Sequence, residues 1–399
     1  MDAFLDIVRH YQNFGLLAFA VAVFATPVAM RLAHRYGILD IPDRALKPHG
    51  RPIPYLGGAA ICLAWAVTIV VAMTTGTCQW PRLLPYLLGG VAMSGLGLID
   101  DIRPVLPRTR LLVGTVIVAA VIFATGTGFR LVASLADGLA VLLRDCGLTL
   151  PGWWAPAVNA LALPLSVLVS VFVVLGACNS ANLIDGLDGL CSGVTAIISL
   201  GFFLLASHLA IWNYSDSGDP LRLVLSIAML GAALGFLPWN FNPARIFMGD
   251  AGSVLLGYNC GMLILLFAER GIFRWVIGAL MIFALPVFDT ALAMFRRWRA
   301  GRSIFEGDRS HFYDQLVQRG LSVRQTVFVC YGLTIVYAAI GLLLTWVEGG
   351  RPVIRTRHAV FLYLAVVVLT GGLAWAVGLT RPEQRRDSAP RPPTAAPPG

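Results

Sequence analysis

The chain has 399 residues, of which 57% are hydrophobic and 13% charged, about half the charged fraction of an ordinary soluble domain. This excludes a water-soluble globule, and the 41 Gly and 23 Pro are tolerated in membrane helices, where neighbours re-satisfy freed backbone groups. The net charge of +9 sits beside apolar segments rather than on an interleaved basic surface, which argues against nucleic acid, and the seven cysteines lack the spacing of a zinc site or disulfide framework.

A bilayer core needs about 20 apolar residues per helix. Windows of that size predict eleven spans, at 14–33, 56–74, 83–99, 111–125, 161–177, 190–210, 221–237, 251–268, 272–294, 326–346 and 359–379. The stretch 126–159 carries Arg130, Asp137, Arg144, Asp145, Trp153 and Trp154, and reads as an amphipathic segment at the interface. The expected fold is therefore an all-α, polytopic membrane protein, with a membrane-embedded domain over 1–380. The tail 381–399, rich in Pro and Arg and without an apolar run, is expected to be disordered. Eleven spans put the termini on opposite sides. Most basic residues fall on one side when the N-terminus is outside, so the positive-inside rule predicts an outside N-terminus and a cytoplasmic C-terminus. The first span follows Asp2, Asp6 and Arg9 and precedes Arg31 and Arg35, the wrong polarity for a cleaved signal peptide.

With the spans drawn, Asp40, Asp43, Asp100, Asp101, Asp185, Asp188, Asp250, Glu306, Asp308 and Asp314 all reach one face, with Asp289 near it. Pairs such as Asp100-Asp101 and Asp185/Asp188 lie in nearly apolar surroundings, where like charges need a cation or shared protons. Oxygen ligands without nearby Cys or spaced His suit Mg²⁺ or Mn²⁺, held by one or two carboxylates plus substrate phosphates. Asp185 and Asp188 would share a face if helical. Asp250 is expected to cap the helix that follows it, an end that also favours phosphate. On the same face Lys47, His49, Arg309 and His311 read as phosphate binders, whereas Arg296 to Arg302 read as positive-inside anchors. Gly231/Gly235 and Ser253/Gly257/Gly261 read as helix-packing patterns.

Five pieces in order resemble the polyprenyl-phosphate N-acetylhexosamine-1-phosphate transferases, relatives of the first lipid-linked enzyme of peptidoglycan synthesis. They are His49-Gly50-Arg51-Pro52-Ile53-Pro54 with Gly57-Gly58; Gly97-Leu98-Ile99-Asp100-Asp101; Asn182-Leu183-Ile184-Asp185-Gly186-Leu187-Asp188-Gly189; Phe241-Asn242-Pro243-Ala244-Arg245 leading to Phe247-Met248-Gly249-Asp250-Ala251-Gly252-Ser253; and Pro286 to Asp289 followed by Asp308-Arg309-Ser310-His311.

The resemblance implies transfer of a sugar 1-phosphate from a UDP-N-acetylhexosamine to undecaprenyl phosphate in the lipid bilayer, with release of UMP and a Mg²⁺ requirement. It implies Asn182 and Asp250 as metal ligands, Asp100, Asp101, Asp185, Asp188 and His311 as catalytic residues, and Lys47, His49, Phe247 and Arg309 as substrate binders, Phe247 beside the uracil. Asp100 reads as an orienting group as readily as a base, since a phosphate nucleophile needs little deprotonation near neutral pH. Where many members carry further histidines after His311, this chain has Phe312-Tyr313-Asp314-Gln315. That resembles O-antigen-type members that accept 6-deoxy or modified N-acetylhexosamines. The location implied is a bacterial inner membrane with the site on the cytoplasmic face, and a homodimer is left open. The alternatives are the phospho-N-acetylmuramoyl-pentapeptide transferase reaction and a cation-coupled transporter, whose acids belong near the bilayer midplane on broken helices.

Overall fold

The computed structural model describes residues 2–41, 52–212, 219–269, 273–301, 311–348 and 351–380. In chain order the helices are α1 (Asp2–Tyr36), α2 (Gly57–Thr74), α3 (Trp80–Ile102), α4 (Pro107–Thr125), α5 (Leu131–Asp145), α6 (Trp154–Leu183), α7 (Leu190–Ile211), α8 (Asp219–Asn240), α9 (Gly249–Ala268), α10 (Phe273–Ile282), α11 (Ala284–Arg299), α12 (Phe312–Gln318), α13 (Val323–Thr345) and α14 (Thr356–Ala376). Two short antiparallel pairs accompany them. β1 (Leu39–Asp40) pairs with β2 (Ile53–Pro54), and β3 (Val347–Glu348) with β4 (Arg351–Pro352).

Ten of these helices are long and apolar enough to cross a membrane, and α10 with α11 passes the same test as one bent span. The chain is thus an all-α polytopic membrane protein, as its hydropathy predicts. Three details differ from the sequence expectation. α1 begins a dozen residues before its apolar run, and α6 starts at Trp154, taking in part of the stretch expected to lie at the interface; α5 alone is the short amphipathic element there. The expected ninth span is two helices bent by 74° around Phe283. Pro286, in the first turn of α11, has no N–H to bond back to Ile282, so the helix cannot run through.

α9 is the core. Every residue of its membrane-length window is buried, against 28% for α1 and 17% for α14. Its small residues admit close neighbours, as the sequence pattern predicts: a Cβ on Gly257 would lie 2.4 Å from Cys178 Cα of α6, and one on Gly261 2.8 Å from Val174 Cα. Gly231 and Gly235 of α8 seat α1 in the same way, against the Gly15 and Phe19 carbonyls.

Candidate active site

The C-terminal ends of α1, α3, α6 and α8 meet the N-terminal ends of α2, α4, α7 and α9 at one end of the bundle, and the acids gather there. Backbone hydrogen bonds fix the arrangement first. Phe247 N–H donates to the Pro54 carbonyl at 2.9 Å, Gly57 N–H to the Phe247 carbonyl at 2.9 Å, and Gly58 N–H to the Met248 carbonyl at 2.8 Å. This pairing brings the entries of α2 and α9 together so closely that a Cβ on Gly58 would lie 2.2 Å from the Gly252 nitrogen.

The expected cap is corrected. Asp250 lies inside the first turn of α9, after an N-cap at Met248 that makes no side-chain cap bond. The free N–H groups of that turn are satisfied by Asp101 from α3, whose Oδ1 accepts from Asp250 N at 2.8 Å and whose Oδ2 accepts from Ala251 N at 3.0 Å. Such carboxylate bonds satisfy orphan donors and complement the helix dipole. Gly249 makes the approach possible: its φ is +67°, and a Cβ there would stand 2.5 Å from Asp101 Oδ2.

Asp250 is thereby left to face the site. Its Oδ1 accepts from Asn182 Nδ2 at 2.7 Å, and its Oδ2 is paired with Arg110 Nη1. The same Arg110 nitrogen donates to Asp100 Oδ2 at 2.6 Å, while Asp100 Oδ1 accepts from Val105 N at 2.7 Å. One guanidinium thus bridges two half-buried carboxylates brought from helices far apart in sequence. In the sequence Arg110 is only one more basic residue beside a helix end, and no local spacing ties it to Asp250.

Asp185 and Asp188 do not share a helical face, because 184–189 is a turn between α6 and α7. Asp188 Oδ2 accepts from Asn242 Nδ2 and from Ala244 N, both at 2.9 Å, and so holds the 241–246 loop. Asp185 has no side-chain hydrogen bond among the described residues. Burial pushes its carboxyl well above the usual carboxylate range, with the charges of Asp250, Asp101 and Asp188 adding to the effect. A cation placed beside it would favour its charged form and offset that shift.

His311 belongs to a neighbouring module. Asp289, fully buried in α11, lies 2.7 Å through Oδ2 from His311 Nδ1 and accepts from Phe312 N at 3.0 Å through Oδ1. The His311 ring stacks on Tyr313, with centroids 5.4 Å apart and planes 6° from parallel, and the Tyr313 hydroxyl donates to the Leu183 carbonyl at 2.7 Å. That bond docks the module beside the Asp185 turn. Asp289 orients His311, a part the sequence reading did not give it.

A cleft of about 540 Å³ opens over the cluster, lined by Tyr36, Asp40, Tyr55, Asp100, Asp101 and Asp250. Phe247 stands edge-on to Tyr55 at its margin, with ring centroids 6.3 Å apart. Burial and the adjacent Asp101, Asp250, Asp185 and Asp40 push the Tyr55 hydroxyl up, so it remains a proton donor. Lys47, His49 and Arg309 lie outside the described residues.

The donors suit a hard cation in part. Among the described residues no three His, Cys, Asp or Glu side chains converge as a complete metal cage. Asn182 and Asp250 are nevertheless in direct contact, and Asp185 has no side-chain hydrogen-bond partner among the described residues. That set fits Mg²⁺, which takes one or two carboxylates and completes its shell with waters and substrate phosphates.

The glycosyl transferase family 4 profile matches residues 83–268, which hold the Asp100, Asp185 and Asp250 positions. The decaprenyl-phosphate N-acetylglucosaminephosphotransferase of Mycobacterium tuberculosis (strain ATCC 25618 / H37Rv) is 31% identical over 344 residues, covering 81% of this chain and 80% of that protein. A probable undecaprenyl-phosphate N-acetylglucosaminyl 1-phosphate transferase of Bacillus subtilis (strain 168) is 30% identical over 330 residues, covering 82% and 83%. The phospho-N-acetylmuramoyl-pentapeptide-transferase of Desulforudis audaxviator (strain MP104C) is 30% identical over 355 residues, covering 82% and 95%.

Proposed function

Because the chain belongs to the polyprenyl-phosphate N-acetylhexosamine-1-phosphate transferases of glycosyl transferase family 4, and is thereby a membrane phosphotransferase, we propose that it moves an N-acetylhexosamine 1-phosphate from a UDP-sugar to undecaprenyl phosphate. UMP is released, and the product begins a lipid-linked surface glycan such as O-antigen. The observation that carries this reading is the Asp100–Arg110–Asp250 bridge beside Asn182, at the membrane margin where a lipid phosphate and a nucleotide can both arrive.

In this reaction an oxygen of the lipid phosphate bonds to the β-phosphorus of the UDP-sugar as the bond to UMP breaks. Positioning and charge stabilisation supply most of such catalysis. Asn182 and Asp250, with Asp185 nearby, would hold Mg²⁺, which neutralises charge on the pyrophosphate when bound. Arg110 brings a fixed positive charge to the same place and keeps Asp100 and Asp250 from repelling one another. Asp101 holds Asp250 in register by binding the backbone beneath it. Asp289 sets the ring of His311, leaving Nε2 to meet a phosphate. Tyr55 and Phe247 offer aromatic surface to the base. The concentration of acids at one end, rather than at mid-membrane, favours this reaction over cation-coupled transport.

The basic excess on the same face supports a cytoplasmic site in a bacterial inner membrane, where UDP-sugars are supplied. Two relatives carry N-acetylglucosamine in their names, while Ser310-His311-Phe312-Tyr313 favours a 6-deoxy or modified sugar. The test incubates purified protein, Mg²⁺ and undecaprenyl phosphate with UDP-N-acetylglucosamine, its 6-deoxy analogues and UDP-N-acetylmuramoyl-pentapeptide, following UMP and the glycolipid mass. UMP release with one of the hexosamines is expected. Turnover with the pentapeptide substrate alone would replace this reading by the peptidoglycan one.

A further inference from the structure

The last turns of α1 carry Pro27, Met30, Arg31 and His34 at spacings of three and four, which puts them on one face of the helix. This face and Trp239, from the end of α8, line a groove of about 420 Å³ at the same end of the bundle as the carboxylates. Arg245 lies over the Trp239 ring, 5.8 Å from its centre, and its backbone N–H donates to the Trp239 carbonyl at 2.9 Å. His34 Nδ1 is 2.8 Å from the Met30 carbonyl, so Nε2 is the nitrogen left for another partner. Among the described residues, Arg31, Arg35 and Arg245 take part in no ion pair.

Anchoring by the positive-inside effect accounts for arginines near helix ends. It does not call for a concave site with a tryptophan wall facing them. Two apolar side chains followed by unopposed cations, with a tryptophan beside them of the kind enriched at membrane interfaces, match an acyl chain followed by a phosphate. We propose that this groove binds an anionic phospholipid of the surrounding leaflet, with its phosphate among Arg31, His34 and Arg245 and an acyl chain along Pro27 and Met30. A lipid held there clamps the end of α1 to α8. The next turn of α1 ends at Tyr36, which lines the catalytic cleft, so the clamp steadies one wall of the site.

The full-length protein, delipidated in detergent, is titrated with phosphatidylglycerol or phosphatidylcholine, with native mass spectrometry and melting temperature as readouts. Retained phosphatidylglycerol and a rise in melting temperature specific to it are expected. Each arginine near an anionic lipid surface is worth about fivefold in affinity. The double variant Arg31→Gln with Arg245→Gln should therefore bind phosphatidylglycerol about 25-fold more weakly. Both side chains are exposed, so lipid-free melting should match wild type. Arg9→Gln, exposed near the opposite end of α1, should bind as wild type does. Equal retention of the two lipids, or unchanged phosphatidylglycerol binding by the double variant, would overturn the proposal. So would a variant changed only in KM for undecaprenyl phosphate, which would make the groove a path for the acceptor instead.

Discussion

Asp101 offers a sharp separation of fold from chemistry, because its two oxygens are both spent on the first turn of α9. In Asp101→Asn one oxygen still accepts, but the new amide group faces a backbone N–H that it cannot satisfy. A charge-assisted hydrogen bond of about 1.5–3 kcal/mol is lost, together with about 0.3–1 kcal/mol of interaction with the helix dipole. The expected cost is thus about 2–4 kcal/mol of stability. Asp250→Asn sets the contrast: that side chain caps nothing, so its melting temperature should stay close to wild type while turnover collapses. Both variants are purified in detergent, melted, and assayed for UMP release. Asp101→Asn should melt several degrees lower and lose activity along with its fold. If it melts as wild type does and is nevertheless inactive, the carboxylate acts on the substrate and the capping argument fails.

Arg110→Ala should lower the melting temperature, because Asp100 and Asp250 are left facing one another without their shared cation, and should lower kcat by about 10²–10³-fold, the usual loss when a preorganised electrostatic group is removed; a kcat within a few fold of wild type in the folded variant would remove Arg110 from the mechanism. Chelation with EDTA should abolish turnover, with Mg²⁺ or Mn²⁺ restoring it, and full activity in excess chelator would refute the metal assignment. Burial raises the Asp185 carboxyl above its unfolded value, so its stability contribution is present below the unfolded pKa of about 3.9 and is lost as pH rises through the folded value. In EDTA, Asp185→Asn should therefore melt above wild type near pH 8 and approach it near pH 4, and a pH-independent difference would contradict the assignment. Asp289→Asn should impair turnover more than Asp314→Asn, since only the former changes the partner of His311 Nδ1; equal effects would show that His311 needs no orientation.

The spans were legible because a bilayer imposes one length and one polarity on every helix, and the gathering of Asp100, Asp185 and Asp250 at one end follows once the helices are drawn. Bonds made across the sequence were not legible. Asp250 looks like a cap because it stands beside the helix start, yet the capping carboxylate comes from Asp101, 149 residues away. Arg110 reads as a topological charge until folding sets it against Asp250, 140 residues on. The bend at Phe283 had a visible cause in Pro286, but a proline in an apolar run signals an interruption without giving its angle. Lys47, His49 and Arg309, taken from the sequence as phosphate binders, lie outside the described residues.

The complete burial of α9 bears on how such a protein can diversify. A helix that meets lipid tolerates exchange of one apolar side chain for another, since the solvent adapts. α9 is enclosed by protein, and at Gly257 or Gly261 even one methyl group would collide with α6. Asp250 is therefore mounted on the part of the molecule least free to drift, like a bearing set in its housing. A change of sugar preference is more readily reached through side chains at the rim of the cleft, such as Tyr36 and Tyr55, which can be exchanged while the phosphate chemistry stays where α9 holds it.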